Sequence, residues 1–532
     1  MSELTKQLQS SATGSQWGKI GIRPHHGIVI PLFSLHSQNS CGIGEYTDIE
    51  ALFPWCRDIG LDVIQLLPLN DPGPDTGPYC ALSANALNPI HLGLCQLPHV
   101  SYSPSLSQQI SKLQQLNRCQ RVDYHTIQQS KETFLRSYFK QFGQAITAQT
   151  AYTLFKEQNK TWLIDFALFK TLKIQQSWLA WESWPEELKK PSPEQLQALI
   201  AKNAEEIDFH CFVQYLCFTQ CKRLKQQATI AGIYIKGDIP ILINRESADV
   251  WRHQELFNLD FAAGAPPDMY VEDGQKWGFP IYNWETMAAQ DYKWWIERLH
   301  VASQYYHIYR LDHIVGFYRI WGIPLNKEAK EGHFIPEDQT TWIPHGEKIM
   351  EMMLKHCEML PIGEDLGTIP PEVRVSMRKL GICGTKVMRW ERHWLTDKEF
   401  IDPSDYIPES MTTVSTHDSE TLEMWWKDRP EESKVYAEGQ NKIYEPQLST
   451  KYRHTILKAS HHSSSLFHIN LLQEYLALIP HMIWTTPNEE RINIPGVISE
   501  TNWTYRFRPS IEDIVNNVAL KTSMKDIVGV KV

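Results

Sequence analysis

The 532-residue chain contains no run of basic residues, no CxxC pair, and no stretch near the ~18 uninterrupted apolar residues of a membrane span. It has 52 Lys+Arg against 62 Asp+Glu, a net charge of −10. Without clustered cations to neutralise phosphates, nucleic acid is not expected as a partner, and neither is a membrane. The start, MSELTKQLQSSATGSQWG, has no apolar core, is not Arg-rich and carries Glu3, so neither a secretory signal nor a transit peptide is expected. Ten scattered cysteines in so long a chain read as reduced thiols of a cytoplasmic protein, not as a disulfide scaffold. No GxGxxG or GxxxxGK[ST] follows any apolar run, which removes support from dinucleotide and P-loop folds.

What is present is apolar and aromatic: 42% of residues are AVILMFWYC, with 19 Trp and 21 Tyr. Flat rings suit the C–H face of a pyranose, but on composition alone a large core explains them as well or better. Seven short apolar runs end abruptly in polar residues: Gly27–Leu35, Asp62–Leu69, Ile233–Ile241, Tyr306–His313, Met359–Leu366, Thr385–Trp390 and Met411–Asp418. Their near-continuous apolar character suits parallel strands covered on both faces. An eighth is obscure and is placed within Ala477–Trp484. Between the first two runs, Ile49, Leu52, Phe53, Cys56 and Ile59 fall at helical spacing, with a kink expected at Pro54.

Many parallel strands in one chain mean a closed barrel or an open doubly wound sheet, and the missing nucleotide motifs favour the barrel. The expected fold is therefore α/β, a (β/α)8 TIM barrel over 22–95 and 225–525. A large, mostly helical insertion is expected over 96–224, with a polar N-terminal segment over 1–21. Segments 244–284 and 321–344 read as long βα loops at the C-terminal face, where barrel function sits.

Three runs end in carboxylates: Asp312 in Arg-Leu-Asp-His, Glu364 in Gly-Glu-Asp-Leu-Gly and Asp418 in Thr-His-Asp. Paired carboxylates at a barrel rim suit glycosidic bond cleavage, one attacking the anomeric carbon and the other protonating the leaving oxygen. Arg310, two residues before Asp312, points to the same side and would keep that carboxylate ionised. Glu364 has apolar neighbours that favour its neutral form, and Asp365 alternates away. A strand-end acid is also a common helix cap or salt-bridge partner, and spacing does not choose between the two readings.

At these residues the sequence resembles the 4-α-glucanotransferases known as amylomaltases or disproportionating enzymes, glycoside hydrolase family 77. The matches run in order over most of the chain: PLFSL (Pro31–Leu35), GIGEYTD (Gly42–Asp48), LPLND (Leu67–Asp71) and the pattern from Pro78 to Pro89. GDIPI (Gly237–Ile241), GAPPD (Gly264–Asp268), GQKWGFPIYNW (Gly274–Trp284) and RLDHIVGFYRIW (Arg310–Trp321) follow. GEDLG (Gly363–Gly367), STHD (Ser415–Asp418), RINIPG (Arg491–Gly496) and NWTYR (Asn502–Arg506) complete the series.

The resemblance implies Asp312 as nucleophile, Glu364 as general acid and base, and Asp418 as the third carboxylate, holding hydroxyls of the ring being cleaved. It implies Arg310, His417, Tyr79 and Asp238 around the same subsite, and Asp268, Gln275 and Trp277 on a loop over neighbouring subsites. No metal or cofactor is implied, and the partners are α-1,4-glucan donors and acceptors. The chain departs from the family at Ser419, Val497, Tyr505, Gly77, Ala81 and Leu87. No carboxylate is lost, so these changes bear on chain-length preference. An α-glucan hydrolase with the same dyad and an inactive glucan-binding protein are the rival readings. His210, Cys217 and Cys221 share a helical face among apolar neighbours and read as core, not zinc ligands. The pairs Trp294–Trp295 and Trp425–Trp426 read as packing.

Overall fold

Eight short strands make the centre of the molecule: β1 (His25–Ile30), β2 (Val63–Leu66), β3 (Tyr234–Ile239), β4 (Ile308–Leu311), β5 (Leu360–Gly363), β6 (Gly384–Val387), β7 (Ser410–Thr413) and β8 (Phe467–Leu471). They come from a computed structural model that describes residues 3–530 except 268–271, 395, 397 and 441. The sheet order is β5-β4-β3-β2-β1-β8-β7-β6, and every pairing is parallel. Its two ends meet: the Gly363 amide donates to the Cys383 carbonyl at 2.8 Å, and Ile362 bridges Cys383 in parallel. The ring is a TIM-type barrel, nearly closed and wound in chain order.

Seven strands lie within or against the apolar runs expected to form them. The runs are longer because they continue into tight turns, as at Leu32–Ser34 and Met388–Trp390. The eighth strand is not within Ala477–Trp484 but ahead of it, at Phe467–Leu471. Its sequence, FHINL, hides two polar residues that find hydrogen-bond partners inside the protein. The His468 ring bonds the Ser460 carbonyl at 2.9 Å, and the Asn470 amide donates to Ser460 Oγ and Tyr475 Oη, both at 2.9 Å. Pro54 does not kink a continuous helix. It sits in the first turn of a separate helix, Phe53–Asp58, where a missing N–H leaves no bond unmade.

Two N-terminal helices, α1 (Glu3–Ser10) and α2 (Gly14–Ile20), cover the bottom of the barrel. Gln16 Nε2 donates to the carbonyls of Leu354 and Cys357 ahead of β5, and Trp17 Nε1 to that of Gly381 ahead of β6. Trp17 is fully buried, its ring 5.8 Å from that of Phe467. Trp17→Ala is expected to destabilise the chain by about 3–5 kcal/mol, seen as a lower urea midpoint. The mouth-side side chains lie at the other end and should keep their geometry.

Between β2 and β3 the chain is mainly helical, from Pro104–Gln114 through Tyr124–Thr147 and Leu163–Gln175 to the 28-residue helix Ala204–Ala231. His210, Cys217 and Cys221 are buried on that last helix beside Phe212, Leu216 and Phe218. Trp295, Trp425 and Trp426 are likewise buried. The segments 244–284 and 321–344 are more ordered than loops. Phe261–Ala265, Gln275–Lys276, Ile320–Pro324 and His333–Ile335 form a four-stranded antiparallel sheet. Its central pairing joins the two insertions, Phe261 facing Pro324, so no local pattern could show it. Among the described residues no helix is long and apolar enough to cross a membrane.

Candidate active site

The register of three neighbouring strands builds the floor of the mouth. Asp238 on β3 pairs with Arg310 on β4, which pairs with Ile362 on β5. The ladder continues one step further: the Asp312 amide donates to the Ile239 carbonyl and the Glu364 amide to the Leu311 carbonyl. Asp312 and Glu364 thus stand beside each other at the ends of adjacent strands. One guanidinium serves all three acids. Arg310 Nη1 lies 2.9 Å from both Asp238 oxygens and 2.8 Å from Asp312 Oδ1, and Nη2 lies 3.9 Å from Glu364 Oε2.

A turn fixes Glu364 from the other side. His313 adopts a left-handed conformation (φ 45°), and its amide donates to Glu364 Oε2 at 2.9 Å. The Leu366 amide donates to Oε1 at 2.8 Å. Asp365 faces away and is held by Arg374 Nε and the Thr385 amide.

Asp418 enters from β7, across the mouth, through a chain of hydrogen bonds. Tyr79 Oη donates to Asp238 Oδ2 at 2.8 Å and lies 2.9 Å from His417 Nε2, which is 3.1 Å from Asp418 Oδ2. Asn493 Nδ2 donates to Asp418 Oδ1 at 2.6 Å, and Arg491 Nη2 to the Asp418 carbonyl. The Thr-His-Asp turn is pinned by Ser419, whose Oγ accepts the Thr416 amide, and by Ser415 Oγ donating to buried Glu474. The departure at Ser419 therefore supplies the turn's own bond.

Exposure rises from floor to rim: the Asp238 side chain is 0% exposed, Glu364 11%, Asp312 24% and Asp418 41%. The carboxyls differ in proton affinity accordingly. Burial pushes Glu364 up from 4.5 to about 7, against the pull of Arg310 and the two backbone donors. Burial also raises Asp312, and the charges of Asp238 and Asp418 add to this. The opposing Arg310 does not bring it below its ordinary value, contrary to what the Arg-Leu-Asp spacing alone suggests. Glu364 nevertheless carries the large shift and holds its proton near neutrality. Burial would raise Asp418 as well, but His417 and Asn493 bring it down to about 2. Burial works to lower His417, and its Asp418 neighbour more than offsets this. The mouth thus holds a proton-bearing acid beside a second carboxyl, with an ionised one opposite.

Trp277 stands edge-on to His313, ring centroids 5.1 Å apart, and its Nε1 donates to Gln275 Oε1 at 3.1 Å. Asp268 lies outside the described residues. Asn493, Arg491, Trp503 and His313 received no role from the sequence. Trp503, 5.7 Å from Tyr79 and 6.0 Å from His417, completes an aromatic wall. The signal for all four was available, since RLDHIVGFYRIW, RINIPG and NWTYR were recognised as motifs. What they touch depends on the last third of the chain folding back over β7.

A nearly closed parallel barrel that gathers four carboxyls, Arg310 and aromatic walls at its C-terminal face defines a carbohydrate-active barrel enzyme. A family model described as 4-alpha-glucanotransferase matches residues 30–512, and the chain belongs to that family, glycoside hydrolase family 77. It is 41% identical to a 4-alpha-glucanotransferase of Chlamydia pneumoniae over 510 residues, 96% of each chain. It is 31% identical to that of Thermus thermophilus, covering 84% of this chain and 87% of the relative. An amylomaltase of Streptococcus agalactiae, solved in complex with acarbose, superposes with a TM-score of 0.82 at 25% identity, covering 95% of this chain and 98% of that one. The activity is that of a 4-alpha-glucanotransferase on α-1,4-glucans.

Proposed function

We propose that the transfer is a retaining double displacement in which Asp312 is the nucleophile and Glu364 the general acid and base. The observation that carries this is the sharing of Arg310 by two carboxyls on adjacent strands. A strand spacing of about 4.8 Å supports a carboxyl separation near the ~5–5.5 Å of retaining enzymes, short of the ~6.5–9.5 Å of inverting ones. Asp312 attacks the anomeric carbon while the Glu364 proton passes to the departing glycosidic oxygen, leaving a glucosyl ester. The ionised Glu364 then takes the proton of an acceptor's 4-hydroxyl, that oxygen attacks the anomeric carbon, and Asp312 leaves.

Asp418, ionised and open to the cleft, accepts hydroxyl hydrogen bonds of the reacting ring, with His417, Tyr79, Asp238 and Arg310 holding the subsite together. Gln275 and Trp277, with Asp268, serve neighbouring subsites. The aromatic faces of Trp277 and Trp503 exclude water while the acceptor binds, which favours transfer over hydrolysis. The similar amylomaltase solved with acarbose fits this choice of donor and acceptor, maltooligosaccharides and glucose. The ten unpaired cysteines favour a cytoplasmic location.

Asn493→Ala removes the 2.6 Å donor to Asp418. A hydrogen bond to a charged group contributes about 1.5–3 kcal/mol, so kcat/KM is expected to fall about 10–100-fold in steady-state assays. The reading as a whole is tested by incubating the chain with maltotriose. Oligosaccharides longer than maltotriose should accumulate alongside glucose. Shorter products alone would mean a hydrolase.

A further inference from the structure

Two of the ten cysteines converge on one backbone carbonyl outside the active site. Cys41 lies in the loop after β1, and Cys95 in the turn Leu94–Gln96 that leads toward the helical segment. Both sulfurs point at one oxygen: the Asn39 carbonyl is 3.9 Å from Cys41 Sγ and 3.4 Å from Cys95 Sγ. Gln114 Nε2 donates to Cys95 Sγ at 3.7 Å, and the Cys41 amide donates to Glu45 Oε1 at 3.2 Å. Lys131, buried beside them, is bonded to Glu45 Oε1 at 2.7 Å. Cys41 is fully buried, whereas Cys95 is partly exposed.

We propose that Cys41 and Cys95 form a dithiol modification site, which a hydroperoxide closes to a disulfide. An accessible thiol poised beside a buried resolving thiol is the arrangement that peroxide chemistry needs. The neighbouring Cys41 thiol, against burial, brings the Cys95 thiol down to about 7, with Lys131 adding to the effect. The thiolate therefore forms at Cys95, the accessible sulfur of the two.

The Cys95 thiolate attacks one peroxide oxygen. The O–O bond breaks, hydroxide leaves, and Cys95 becomes a sulfenic acid. The Cys41 sulfur then attacks the Cys95 sulfur, the S–O bond breaks, and the departing hydroxide takes the Cys41 proton to become water. Two thiols are oxidised by two electrons and one hydroperoxide is reduced. The new bond ties the loop after β1 to the turn at 94–96. That same loop is held by Arg506, which donates to the Gly42 carbonyl three residues beyond Trp503.

The test is exposure of the full chain to a slight excess of hydrogen peroxide, followed by thiol counting and a non-reducing peptide map. Two of the ten thiols should be lost, one Cys41–Cys95 cross-linked peptide should appear, and dithiothreitol should restore both. In Cys41→Ser, Cys95 should stop at a sulfenic acid that dimedone traps. In Cys95→Ser, Cys41 should stay unmodified. Both thiols surviving peroxide in the parent, or Cys95 oxidising without ever joining Cys41, would overturn the proposal. Oxidation of Cys41 in Cys95→Ser as fast as in the parent would also overturn it.

Discussion

Asp312→Asn is expected to lower the rate of glucan transfer by about 10⁵-fold, the scale seen when a nucleophile is removed from a machinery that acts as a unit. The amide matches the carboxylate in shape but cannot form the glucosyl ester. The loss should be one of chemistry, not folding. Arg310 keeps both oxygens of Asp238 at 2.9 Å, so the substitution leaves no buried guanidinium without a partner. Steady-state rates on maltotriose and a thermal melt, run on the same preparation, separate the two effects. A normal melt with near-parental activity would remove Asp312 from the mechanism.

Glu364→Gln is expected to slow transfer by about 10²–10⁴-fold, the usual contribution of a positioned acid or base. It should also change how stability depends on pH. Folded Glu364 holds its proton until about pH 7, whereas a free glutamate releases it near 4.5. Between those values the unfolded chain loses a proton that the folded chain keeps. The Glu364 contribution to stability therefore declines as pH rises through 4.5 and reaches its full penalty above 7. Glutamine has no such term. Relative to the parent, Glu364→Gln should gain about 3 kcal/mol of stability between the acidic and alkaline sides of that window. Urea midpoints at a series of pH values measure it, and a flat difference would mean that Glu364 ionises normally. In the parent, the glycosylation step should fade as pH rises past about 7, because the acid has lost its proton.

Strand positions and the three carboxyls were legible because both are local facts: an apolar run ends, and an acid stands at its end. The eighth strand was not, since His468 and Asn470 look polar until Ser460 and Tyr475 are brought to them by the fold. The sheet joining Phe261–Ala265 to Ile320–Pro324 escaped for the same reason, its partners lying on separate insertions. At the site, same-side spacing gave Arg310 beside Asp312. It could not give the links that tie Asp418 to the dyad, because Tyr79, His417 and Asn493 meet only when three distant segments converge. The direction in which the Asp312 proton affinity shifts was misread for a related reason. A single neighbour, Arg310, was visible, while burial and the charges of Asp238 and Asp418 were not.

The most direct measurement is to trap the glycosyl-enzyme with a fluorinated glucosyl fluoride, whose electron-poor ring slows the second displacement, and to locate the label by peptide mass spectrometry. The sugar should be found on Asp312, and it should still form in Glu364→Gln, because fluoride departs without a proton from the general acid. A label on any other residue, or products of inverted anomeric configuration with no label at all, would contradict the two-step mechanism.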